Sequence, residues 1–138
     1  KHNITNVPHT YQIFDNIYKL TKNVLQPLRE KFGSIKITSG YRGIDLNKII
    51  NGSVTSNHVL GLAADIKPVN KKIKLIDMVE WIDKNCLYRE LIAEYLPNGW
   101  IHVAYDINNN KKTLKVKNKK LNYKRVTIQE LKEIYEII

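Results

Sequence analysis

The stretch SNHVLGLAAD, residues 56–65, sets His58 seven residues before Asp65, and Asp65 follows the small, close-packing pair Ala63 and Ala64. A buried carboxylate is costly unless a positive group meets it, so Asp65 is either solvated or matched by a cation. The second half of the chain holds a single histidine, His102, in the apolar-rich stretch WIHVAYDI. Together His58, Asp65 and His102 offer two imidazoles and one carboxylate. That is a donor set suited to catalytic zinc, with three protein ligands and a fourth position left open. The same residues also read as a loop histidine, a strand-end cap and a satisfied core histidine, and spacing alone does not choose. His2 and His9 fall in a polar N-terminal tail and are expected to be solvated.

Turn chemistry places a carboxylate beside His102. YRELIAEYL and WIHVAYDI read as two strands joined by Pro97, Asn98 and Gly99. Proline suits the first central position of a type I turn, and glycine suits the left-handed position of a three-residue hairpin loop. Such a loop sets Leu96 opposite Trp100 and Glu94 opposite His102, on one face of the sheet. Glu90 then shares that face two pairs away, with Asp106 opposite it. These two are weaker candidate acids, with a surface ion network as their expected role.

The remaining elements must hold these residues in place. Residues 11–31 carry Ile13, Ile17, Leu20, Val24, Leu25 and Leu28 at helical spacing, and Pro27 inside that pattern predicts a kink or two consecutive helices. SIKIT predicts a strand running into the glycine-flanked turn SGYRG. DLNKII predicts one or two helical turns, and AADIKP a strand stopped by Pro68. Residues 70–84 predict an amphipathic helix, and NNNKKTLKVKNKK an exposed hairpin. TIQELKEIYEII predicts a closing helix, with Thr127 and Glu130 at capping-box spacing. The expected fold class is α+β, a small antiparallel sheet with flanking helices.

Composition narrows the function classes. The chain of 138 residues, 43% hydrophobic, is expected to form a single domain over residues 1–138 with a core that needs no disulfide. The lone Cys86 excludes an intramolecular disulfide and a cysteine-cluster zinc site, and it reads as a small buried residue. No apolar run approaches the length of a membrane span. The N-terminus has no apolar signal core and starts with Lys1, as a fragment or processed product would, which leaves localisation open. The net charge of +10 favours anionic partners, although a chain rich in Lys, Asn and Ile also reflects an AT-rich genome. Nucleic acid is not expected: no binding motif is present, and the aromatics are not interleaved with the basic tract. A monomer is expected.

SNHVLGLAAD resembles the Ser-x-His-x-x-Gly-x-Ala-x-Asp signature of the zinc D-Ala-D-Ala carboxypeptidase family. That family includes bacterial wall-trimming enzymes and phage endolysins, and it shares its fold with the hedgehog signalling domain. ITSGYRG resembles the family's Ser-Gly-Tyr-Arg segment, and WIHVAY the strand of its second histidine. The likeness runs in the family's order from about Val24 to Tyr105. It implies that Zn²⁺ is held by His58, Asp65 and His102, and that the substrate is a peptidoglycan stem peptide cut through a metal-activated water. It also implies that Arg42 faces the substrate, where it pairs with a peptide carboxylate or stabilises charge on the attacked carbonyl. Ser56 orients the first histidine or touches substrate, and Tyr41 and Trp100 stand at the pocket wall. Several branches place a catalytic acid three residues before the second histidine, where this chain has Gly99. The hairpin supplies Glu94 as the substitute general base. The basic surface would hold such an enzyme near anionic wall polymers. The alternative is a non-catalytic, metal-stabilised module that binds the wall or a protein, and a usable base separates the two.

Overall fold

The computed structural model describes residue 4 and residues 6–8, 10–53 and 56–138; His2 and His9 lie outside the described residues. Helix α1 (Tyr11–Leu20) starts at Thr10, whose hydroxyl accepts the Ile13 N–H at 3.3 Å. The chain continues through a π-helical turn (Thr21–Leu25) into α2 (Gln26–Phe32), which has Pro27 in its first turn. The predicted interruption is therefore a widened turn just ahead of the proline. There the Gln26 N–H reaches back five residues to the Thr21 carbonyl, so the hydrogen-bond ladder has shifted before Pro27, which has no N–H to give. Gly33, at φ 83°, ends the run.

The other elements are β1 (Ile35–Ser39), α3 (Ile44–Ile49), β2 (Ala63–Pro68), α4 (Leu75–Asn85), β3 (Glu90–Glu94), β4 (Trp100–Ala104), β5 (Thr113–Lys117), β6 (Lys124–Arg125) and α5 (Ile128–Glu136). The strands form one six-stranded sheet in the order β1-β2-β4-β3-β5-β6. The class is the α+β expected. All pairings are antiparallel except β3 with β5, which run parallel. Helix α4 begins later than predicted because Asn70 accepts the Lys72 N–H, a local turn that competes with helix. The capping box at Thr127 and Glu130 is present as read.

The lysine-rich excursion needs correction. It is not an exposed hairpin: β5 lies inside the sheet between β3 and β6, with Leu114 and Val116 buried. Its TLKVK alternation sends those two residues into the core and Lys115 and Lys117 to the opposite face.

Alternation divides every central strand in the same way. Ala64, Ile66, Leu91, Ala93, Ile101 and Val103 join Leu28, Met78, Val79, Ile82 and Leu131 from the helices in one apolar core. Cys86 lies in that core as a free thiol. Asp65, Glu90, Glu94, Trp100 and His102 point to the other face.

Candidate metal centre and active site

Strand pairing builds the centre of the site. Asp65 on β2 lies directly across from His102 on β4, and Asp65 Oδ1 is 3.0 Å from His102 Nδ1. His58 arrives from the loop before β2, with its Nε2 3.3 Å from the same oxygen. Gly61 seats that loop at φ 72°; a Cβ there would fall 2.9 Å from the Ile13 carbonyl oxygen on α1. Asn16 of α1 donates to the Leu60 carbonyl at 2.9 Å. The glycine of the motif is thus the point where the histidine loop docks on α1.

The tautomer of His58 follows from its partners. Its Nδ1 lies 2.8 Å from the Gly40 carbonyl oxygen, which can only accept. Nδ1 therefore carries the proton in the neutral ring, leaving the Nε2 lone pair directed at the centre. The three donor groups lie within 4.8 Å of one another, a group that could hold a metal ion. Two imidazole nitrogens and one carboxylate oxygen fit the preferences of zinc.

The charges around the centre are strongly coupled. Burial would raise the Asp65 carboxyl, but His102 and His58 beside it hold it well below the usual carboxylate range. Burial opposes charge on His102, yet Asp65 and Glu90 push it up to about 9. His102 Nε2 is 3.4 Å from Glu90 Oε1, a charge contact rather than a well-aligned hydrogen bond. Glu90 is held down at about 2 by His102 and by Lys115, whose ammonium is 2.7 Å away.

Glu94 reaches the site through a different register from the one predicted. The connection spans residues 95–99, not 97–99, so Glu94 pairs with Trp100 while Ile92 pairs with His102. Tyr95 takes a left-handed φ of 54°, and the Gly99 N–H closes back on the Tyr95 carbonyl at 2.8 Å. A Cβ on Gly99 would sit 1.8 Å from the Glu94 carbonyl oxygen, so this closure requires glycine. The true loop is two residues longer, which preserves parity, and Glu94 still shares the face of His102. Its carboxylate is buried and accepts the Trp100 indole N–H at 2.7 Å. Burial, then repulsion from Asp65, raises its pKa. The predicted opposition of Glu90 and Asp106 is also corrected: Glu90 pairs with Ala104, and Asp106 bonds Arg89 at 2.9 Å.

Arg42 lies in the turn between β1 and α3. Its Nη2 reaches Ser56 Oγ at 3.4 Å, and that hydroxyl also accepts the His58 N–H at 3.2 Å. Burial lowers the Arg42 pKa, opposed by Asp65. Tyr41 lines a cavity of about 480 Å³ with Thr10, Ile13, Ile44 and Leu60, beside the histidine loop.

Sequence reasoning missed two asparagines. Asn47 is buried on α3, donates to the Ser53 carbonyl at 2.9 Å, and fills the space that a side chain at Gly52 would need. Asn6 bonds the backbone on both sides of Arg42. Asn6 carries no local signal, because its partners are set by tertiary folding, whereas the partner of Asn47 lies only six residues along the chain.

A family model described as Peptidase M15 matches residues 4–104. The chain belongs to this family. M15 is the zinc D-Ala-D-Ala carboxypeptidase family named above by resemblance, and its members are zinc-dependent peptidases. The M15 match covers the whole span from the N-terminal segment to the end of β4, so it includes His58, Asp65, Glu94 and His102 as well as Arg42. Strands β5 and β6 and helix α5 lie beyond it. Comparison with curated proteins gives no match.

Proposed function

We propose that this M15 chain is a zinc peptidase of peptidoglycan stem peptides, a carboxypeptidase or endopeptidase, with His58, Asp65 and His102 holding the ion. The observation that carries the reading is the convergence of His58 Nε2 and His102 Nδ1 on Asp65 Oδ1. Zinc, when bound, acts as a Lewis acid that polarises a carbonyl and acidifies water from 15.7 to about 7. His58 presents its lone pair because Gly40 holds the proton on Nδ1. Glu90 does the equivalent for His102 by favouring the proton on Nε2. Glu94 acts as general base toward the attacking water and returns the proton to the leaving amine. Its raised pKa and burial beside His102 suit both steps. Arg42 supplies fixed positive charge to a substrate carboxylate or to the oxygen of the attacked carbonyl. Ser56 steadies both Arg42 and His58, while Tyr41 and Trp100 flank the substrate. The +10 charge draws the enzyme to anionic wall polymers.

Mass spectrometry of purified muropeptides, incubated with and without a chelator, tests this reading. Cleavage that stops on chelation and in Glu94→Gln is expected, and the masses released distinguish D,D from L,D bonds. Muropeptides bound but left intact by the zinc-loaded protein would instead point to a metal-stabilised wall-binding module.

A further inference from the structure

Arg42 is weakly held at its charged end. Among the described residues its one hydrogen-bonded side-chain partner is Ser56 at 3.4 Å, and its buried Nε has no hydrogen-bond partner. A long side chain so lightly tethered takes its direction from its backbone. That backbone is gripped at three points. The Arg42 N–H donates to the His58 carbonyl at 3.1 Å, which ties the turn to the metal loop. The Asn6 side-chain amide provides the other two: Nδ2 donates to the Tyr41 carbonyl at 2.9 Å, and Oδ1 accepts the Gly43 N–H at 2.7 Å. A primary amide carries a donor and an acceptor side by side, so one side chain satisfies the backbone before and after Arg42. Alanine can do neither, and aspartate can serve only the Gly43 side.

We infer that Asn6 is a positioning residue for Arg42, and that the N-terminal segment thereby completes the substrate side of the site. This rests on the reading of Arg42 as a substrate-binding group. A tether that merely fastened the N-terminal segment to the domain would leave muropeptide recognition unchanged when cut.

The test uses the zinc-loaded chain with Asn6→Ala and Asn6→Asp, each in the wild-type and the Arg42→Ala backgrounds. Loss of the two hydrogen bonds should raise KM for muropeptides about tenfold, with zinc content and melting temperature nearly unchanged. The near-isosteric aspartate keeps the Gly43 bond but sets a carboxylate oxygen against the Tyr41 carbonyl, so it too should raise KM, and neither change should add to the effect of Arg42→Ala. Amide exchange at Gly43 should quicken in Asn6→Ala, a readout independent of turnover, and stay slow in Asn6→Asp, which keeps the acceptor for that N–H. KM effects that add to those of Arg42→Ala would overturn the inference, as would an unchanged KM alongside faster Gly43 exchange. Unchanged Gly43 exchange in Asn6→Ala would overturn the clamp itself. If Arg42→Ala leaves KM unaltered while Gly43 exchange still quickens in Asn6→Ala, the role of Arg42 fails and the clamp stands.

Discussion

Strands β3 and β4 turn two unlike surfaces outward from one backbone. On one side Leu91, Ala93, Ile101 and Val103 are wholly buried against the helices. On the other, Glu90, Glu94, Trp100 and His102 alternate with them residue by residue. The pleat separates stability from chemistry at the spacing of a single residue. The apolar side draws its energy from area removed from water. The polar side holds charges that pay for their burial only through one another: Asp65 is stabilised by two imidazoles, and Glu90 by His102 and Lys115. Changes on the two sides should therefore fail in different ways.

The largest effects are expected at the proposed metal ligands. His58→Ala and His102→Ala should each lose zinc and all measurable muropeptide cleavage, and full zinc occupancy in both would sink the proposed centre. Next, Glu94→Gln should cut kcat by about 10²- to 10⁴-fold while zinc content and melting temperature hold. The same change at Glu90 should be milder, and a reversed order would reassign the base. The contrast is sharpest one residue away. Leu91→Ala should cost about 2–5 kcal/mol in a denaturant titration and leave turnover per folded molecule intact.

A smaller effect concerns pH. In the metal-free protein His102 stays charged up to about 9, against its ordinary 6.5. Loading must then expel its proton, so zinc affinity from chelator competition should climb about tenfold per pH unit between those values. The stability that this raised pKa adds to the metal-free fold has the opposite trend. It is fully present below the ordinary value and is lost as pH rises through the folded one. An affinity that is flat in pH would contradict the charge assigned to His102. The smallest effect lies far from the site: Thr127→Ala should lower stability by about 1 kcal/mol through loss of the capping box.

Local patterns made much of this legible. Thr127 and Glu130 announced their cap, and alternation around His102 announced a strand with one chemical face. Glu94 was placed on the right face through the wrong pairing, because face depends only on whether the loop length is odd. The left-handed Tyr95 and the closure at Gly99 fix the actual length, and they depend on backbone contacts that a proline–glycine pattern does not encode. β5 was misread for a different reason. Its parallel partner β3 is brought alongside by tertiary folding, and a strand with lysine at two of its five positions looks solvent-facing until that partner arrives. Asn6 was invisible because its partners lie 35 and 37 residues away.

The pairing of Asp65 with His102 has a consequence for how the chain folds. Their contact closes a span of 37 residues, and joining distant segments is the step that chain entropy opposes most. Sliding β2 by one position against β4 would carry Asp65 to the helix side and scatter the three donors. An ion that needs all three would bind only the correctly zipped sheet, so its affinity would be felt as added stability of that arrangement over its misaligned neighbours. Besides its chemistry, the cation would serve as a proofreader of strand alignment.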